Sequence, residues 1–226
     1  MSGATLAFSV PLVNSGQLKT PTKTILSLCD YSGSWSAPYH AAGYSVIQVD
    51  PKLHHIETDR LFQWRGTVSD VLQHVESLPE IHGILAAPPC THFTKAGNMY
   101  WDKFDSLGLT AQSIAIVEDI LRLVEILRPT WWALENPAGR IKSLIPSLGQ
   151  PIYSFNPCDF GQPWTKKTYL WGRFVQPLPL FLGCDYSVEP SEKNYIQRVP
   201  GSGETRKARR SETPAGFASA FFEVNK

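Results

Sequence analysis

Two short stretches carry side chains suited to covalent chemistry. The first is Ala87-Pro88-Pro89-Cys90-Thr91-His92-Phe93-Thr94, a thiol directly behind two prolines. Each proline fixes φ near −65° and removes a backbone donor, so the sulfur is pre-positioned. The second is Ala133-Leu134-Glu135-Asn136-Pro137, a carboxylate followed by an amide. A thiolate nucleophile beside a carboxyl group able to hold a proton is a pair suited to covalent catalysis.

Both stretches follow apolar runs that read as strands. Thr24–Cys29, 44–49, 82–87 and 131–135 are short, apolar and β-prone, and 152–155 and 168–171 look like two more strands. Between them lie helical patterns: 36–43, closed by Gly43, then 68–78 with apolar positions 68, 71, 72, 75 and 78. The longest is 110–127, with 114, 117, 120, 121, 124 and 127 on one face. Residues 137–145 and 213–224 read as shorter helices. Strands apolar on both faces that alternate with helices predict an α/β fold with a doubly wound, mostly parallel sheet. Such sheets bind ligands beyond the C-terminal ends of their strands. Asp30, Asp50, Cys90 and Glu135 all fall at those ends.

The motifs together resemble the cytosine C5-specific DNA methyltransferase family, and its small, phage-like members most. In that family a Pro-Cys loop supplies the nucleophile and a later Glu-Asn pair the carboxyl group, in the order found here. Ser27-Leu28-Cys29-Asp30-Tyr31-Ser32-Gly33-Ser34 stands where the family has its glycine-rich turn for S-adenosylmethionine. Asp50 stands near its ribose-binding acid, and Asp70-Val71 matches its adenine-binding Asp. Cys158-Asp159-Phe160-Gly161-Gln162-Pro163 followed by Lys166 resembles a later motif, and 213–218 the closing helix that packs back on the cofactor site. The likeness covers residues 24–171 and 211–224.

The resemblance implies a Rossmann-like class I methyltransferase fold. It also implies transfer of a methyl group from S-adenosylmethionine to C5 of cytosine in DNA through a covalent Cys90–C6 intermediate. Cys90, Glu135, Asn136 and Lys166 would form the catalytic set. Asp30, Tyr31, Ser32, Gly33, Ser34, Trp35, Asp50, Asp70 and Pro88 would hold the cofactor, and no metal is implied. A target base inside a duplex would need to be flipped out. The sequence departs from the family at Tyr31, in place of the first glycine of the cofactor turn, and at Lys166 and Thr168, where the family has arginines. Lysine cannot supply the planar fork of arginine. Residues 172–212, Pro-rich and basic, stand where the family inserts a large target-recognition region. Two other readings stay open. One is C5 modification of single-stranded DNA, RNA or a free nucleotide, or with a modified sulfonium donor. The other is a non-catalytic nucleic-acid-binding protein on the same fold.

Each residue also has a plainer reading. Cys90 alone would be an inert buried thiol, Glu135 a carboxylate favoured at a helix start, and Asp70 an ordinary first-turn helix acid. Asp50 before Pro51 is equally a strand-ending turn. His92 reads as a satisfied loop histidine, and Cys29, Cys158 and Cys184 as packing residues. The basic run 206–210 is either a solvated surface or a set of phosphate contacts.

Composition sets the outer bounds. Of 226 residues, 42% are hydrophobic and 18% charged, which suits one packed catalytic domain over 23–226 behind a loose arm over 1–22. The net charge of +1 sets up no global field, so a nucleic-acid partner would need local basic patches. Four cysteines with no Cys-x-x-Cys pair imply neither a zinc site nor a disulfide framework. They point instead to a reducing, cytoplasmic compartment in a bacterial or phage-infected cell. No run suits a signal peptide or a membrane span.

Overall fold

The computed structural model describes residues 22–162, 164–180, 203 and 211–226. The arm expected over 1–22, except its last residue, lies outside them. So do Pro163, Cys184 and the basic run 206–210.

The elements are β1 (Thr24–Leu28), α1 (Ala37–Ala41), β2 (Ser45–Val49), β3 (Ile56–Glu57), β4 (Leu61–Trp64), α2 (Val68–Gln73) and β5 (Ile81–Ala86). There follow α3 (Trp101–Ser106), α4 (Leu109–Leu127), β6 (Trp131–Pro137), α5 (Ile141–Leu144), β7 (Tyr153–Phe155), β8 (Thr168–Arg173) and α6 (Ala215–Val224). The eight strands form one sheet in the order β3-β4-β2-β1-β5-β6-β8-β7. The central strands β4, β2, β1, β5 and β6 are parallel, while β3, at one edge, is antiparallel to β4. At the other end β8 runs antiparallel to both β6 and β7. The doubly wound, mostly parallel α/β sheet expected from the sequence is therefore present.

Alternation along the strands feeds two apolar layers. Leu26 and Leu28 of β1 face a layer with Ile84 of β5, Val71 of α2 and Val117, Ile120 and Leu123 of α4. Ile25 faces the opposite layer with Leu85, Tyr39 of α1, and Phe217 and Phe221 of α6. Each such fully buried aliphatic or aromatic side chain stabilises the fold by about 1.5–3 kcal/mol. Chain direction reverses about β1: β2 lies on one side of it and β5 on the other, so the crevice at their C-terminal ends is the topological switch point.

Several element boundaries differ from the sequence expectation. The helix expected over 68–78 breaks at His74, whose Nδ1 contacts the Asp70 carbonyl at 2.8 Å while its amide turns to Val71. A 3-10 turn, Val75–Ser77, follows. The helix expected over 137–145 shrinks to Ile141–Leu144, because β6 runs on through Pro137 to pair with β8. The strands β3 and β4 have no counterpart in the expectation, and neither does α3. The buried face of α4 carries Thr110, Ser113, Val117, Ile120 and Leu123, rotated from the apolar stripe read in the sequence.

Candidate active site at the strand ends

The turn after β1 is built around Asp30. Its Oδ2 accepts from the hydroxyls of Ser27 at 2.8 Å and Ser36 at 3.1 Å, and its Oδ1 from the Gly33 amide at 2.9 Å and the Ser32 hydroxyl at 3.3 Å. Four donors on one carboxylate satisfy a group that would otherwise be costly to bury. Gln48 of β2 donates Nε2 to the carbonyls of Asp30 and Tyr31, and its Oε1 accepts from Gln63 of β4 at 2.9 Å. The backbone pays for this tight bend at two places: Cys29 adopts φ of 57° and Gly33 φ of 69°. Glycine occupies that region at little cost, whereas Cys29 is held there by the hydrogen bond its amide donates to the Val49 carbonyl at 2.8 Å.

These contacts redistribute the expected cofactor set. Tyr31, Ser32, Gly33 and Ser34 line the outer face of the turn, with Tyr31 about half exposed at 54%. Asp30, expected among the cofactor contacts, is buried and turned inward to its four donors, so it organises the turn. Trp35, expected there too, is a core residue, 1% exposed and packed against Phe217 and Phe221 of α6. The closing helix does pack behind the turn, as expected, and Ser34 Oγ donates to Glu212 at 2.6 Å.

Asp50 ends β2 at the same crevice. Its Oδ1 accepts the Lys52 amide at 2.8 Å, and burial pushes its carboxyl above the usual carboxylate range against the pull of that amide and of the Lys52 cation. Burial, then Asp50, then Asp30 push the neighbouring Cys29 thiol up to about 12. Asp70 sits in the first turn of α2. Its Oδ2 accepts from the Thr67 amide at 2.7 Å and hydroxyl at 2.8 Å, closing a capping box at the start of α2. These contacts match its plainer reading as a first-turn helix acid.

The Cys90 loop leaves β5 alongside β6. The strands are parallel and adjacent, with Ala86 paired to Leu134, so Pro88-Pro89-Cys90 and Glu135-Asn136 emerge side by side. Asn136 is fully buried and donates Nδ2 to the Pro88 carbonyl at 3.1 Å, which fixes the loop to the strand; its Oδ1 has no hydrogen-bond partner. Pro88 is buried and Cys90 half-buried, its thiol outside any disulfide. Burial raises the Glu135 carboxyl above the ordinary range, and Lys166, with Nζ 3.9 Å from Oε1, pulls it back down. The strand ends thus bring Glu135, Asn136 and Lys166 together beside the loop that carries Cys90.

Residues missed by the sequence reading surround this edge. The stretch behind Cys90 carries a 3-10 turn, Lys95–Tyr100, running into α3. Arg140 reaches across it from the end of β6. His92 is half-buried with Nδ1 2.6 Å from Ser113 Oγ, which fits its reading as a satisfied loop histidine. Burial and then Arg140 hold its imidazole below its ordinary pKa. One signal was available: Thr110 and Ser113 are polar residues on the core face of an otherwise apolar helix, and both bind this segment.

The later motif, Cys158–Gln162, plays a structural part. Asp159 closes a capping box with Asn156, and Phe160 packs on Phe217. Cys158 is disulfide-bonded, which corrects its reading as a packing thiol and removes the ground on which the cysteines pointed to a reducing compartment. Among the described residues no His, Cys, Asp and Glu cluster suits a metal, and no helix is long and apolar enough to cross a membrane.

No family model matches the chain, and no curated protein is similar to it in sequence. Among solved structures, it is similar to a prophage-encoded E. coli protein provisionally designated a DNA modification methyltransferase. The identity is 19% and the TM-score 0.47, over 67% of this chain and 47% of that one. The chain thus spans about half the length of that protein.

Proposed function

We propose that the protein is an S-adenosylmethionine-dependent transferase that modifies C5 of cytosine in DNA, with Cys90 as nucleophile. The observation that carries this reading is the joint emergence of the Cys90 loop and Glu135 from the parallel strands β5 and β6, pinned by the Asn136–Pro88 hydrogen bond. That pair opens on the same side of the sheet as the β1 turn and Asp50.

The residues at the switch point fit the cofactor. The exposed side of the turn at 31–34 would take the methionine end, and Asp50, with one oxygen committed to the Lys52 amide, would take the ribose hydroxyls. When bound, S-adenosylmethionine supplies the electrophilic methyl group that an activated C5 takes up. Cys90 does the activating: its thiolate adds to C6 and turns the ring into an enamine. Glu135, whose burial favours the protonated carboxyl, holds a proton toward N3 and stabilises the charge that develops there. Lys166 limits how far that carboxyl rises. Loss of the C5 proton and expulsion of the Cys90 sulfur then restore the aromatic ring.

DNA carrying 5-fluorocytosine tests this directly, since the missing C5 proton prevents release of the enzyme. The wild type forms a covalent adduct in the presence of cofactor, and Cys90→Ser forms none. With ordinary DNA, the base gains one methyl group by mass only with the wild type. Cofactor binding without adduct or methylated base would overturn the assignment.

A further inference from the structure

Arg140 has no place in the motifs above, yet its side chain ties four segments together. Nε donates to the His92 carbonyl at 3.0 Å. The two terminal nitrogens grip Asp105 of α3 as a bidentate pair at 2.8 and 2.7 Å, and one also donates to Thr110 Oγ1 of α4 at 3.0 Å. The guanidinium lies over the Trp101 ring, 4.6 Å from its centroid. Its side chain is 14% exposed, so this ion pair is screened less than an ordinary surface pair. The backbone repeats the connection: the Arg140 amide donates to the Phe93 carbonyl, the Lys95 amide to Ala138, and Thr94 bridges Gly139. The same turn returns to the nucleophile, for the amides of Phe93 and Thr94 both donate to the Cys90 carbonyl, at 3.0 and 2.9 Å.

We propose that Arg140 is a positioning residue that sets the Cys90 loop by clamping the chain behind it and α3 onto the end of β6. The inference rests on the reading of Cys90 as nucleophile. It differs from a phosphate-binding role, because the cation is spent on Asp105 and the fork on three further groups. Only a planar guanidinium matches that set; an ammonium carries the charge but cannot span it.

That difference gives the test. Arg140→Lys and Arg140→Met are compared with the wild type in methyl transfer and in amide hydrogen exchange. Both are expected to lose about 100-fold in kcat with KM for DNA nearly unchanged, the scale of a misplaced reacting group. In both, the amides of Thr94 and Lys95 exchange about tenfold faster, a local opening. Asp105→Asn, on a half-exposed carboxylate that the core does not need, loosens the 95–106 stretch with a smaller loss in kcat. Recovery of both rate and protection by Arg140→Lys would show that charge alone suffices and overturn the clamp, as would wild-type exchange in Arg140→Met. If the wild type itself transfers no methyl group, the functional reading fails, while the exchange comparison still decides the clamp.

Discussion

The turns after β1 and β5 lie at the same edge of the sheet and are held in opposite ways. The first is closed mainly by neighbours: Asp30 draws on Ser27, Ser32, Gly33 and Ser36, all within six residues, with Gln48 of β2 holding two of the turn's carbonyls. The second is closed from a distance: Asn136 holds the Pro88 carbonyl and Arg140 the His92 carbonyl, each across 48 residues. A turn that carries most of its own hydrogen bonds can form as soon as β1 and β2 pair. A turn held by remote partners takes its shape only once β6 is in place, because the loop entropy must be overcome before those contacts form. The first suits a binding surface built in advance, the second a loop whose position answers to the rest of the proposed site.

The largest effect expected from breaking this contrast is at Asp30. Asp30→Ala removes the carboxylate that two buried serine hydroxyls share, and leaves Ser36 and the Gly33 amide only their longer contacts, at 3.3 Å each. It should lower stability by about 3 kcal/mol, the cost of stranding buried donors. Urea unfolding measures it, and a loss no greater than that of a surface substitution would show that water replaces the carboxylate. Gly139→Ala should come next. A Cβ there would collide with the Phe93 carbonyl, so the bridge to Thr94 must part. Overpacking of this kind costs about 1–3 kcal/mol. Its signature is local: amide exchange rises at Lys95 and Arg140 and stays low in the β1 turn. Uniform loosening of both turns would mean that they are not independent.

This contrast also explains what the sequence disclosed. The Asp30 turn, the Pro-Pro-Cys loop and Glu135-Asn136 were legible because strand, turn and motif are contiguous, and apolar runs located β1, β2, β5 and β6. Trp35 was misplaced because an aromatic beside a ligand turn and one beneath it have the same sequence signature; only the packing of Phe217 and Phe221 separates them. The strand β4 was missed because its residues are only partly buried and no apolar run stands out. Arg140 was invisible for a different reason: nothing within its own neighbourhood marks it, and its partners lie on α3, α4 and the loop behind Cys90.

A smaller effect separates the charges of the two turns. Burial holds the Glu135 carboxyl above its ordinary range, so the folded state binds its proton more tightly than the unfolded chain does. Its contribution to stability is therefore present at pH below the unfolded value and is lost as pH rises through the folded one. Glu135→Gln has no such titration. The variant's stability relative to wild type should rise with pH across that window and then level off, even though transfer is lost. Urea midpoints between about pH 4 and pH 8 follow it, and a difference that stays constant across this range would mean the carboxyl is not raised.

The finest distinction lies between the two thiols. Cys29 belongs to the first turn and Cys90 to the second, and both are half-buried and outside any disulfide. Burial, Asp50 and Asp30 push the Cys29 thiol up to about 12, so at pH 8 it stays in the unreactive thiol form. A short iodoacetamide pulse on the folded protein should then label the Cys90 peptide and leave the Cys29 peptide unmodified, as read by peptide mass. Asp50→Asn removes one of the two charges that oppose ionisation, and should raise Cys29 labelling several-fold while leaving it behind Cys90, because burial is the larger cause. Equal labelling of both cysteines in the wild type would place Cys29 in a more open turn than the Asp30 network allows.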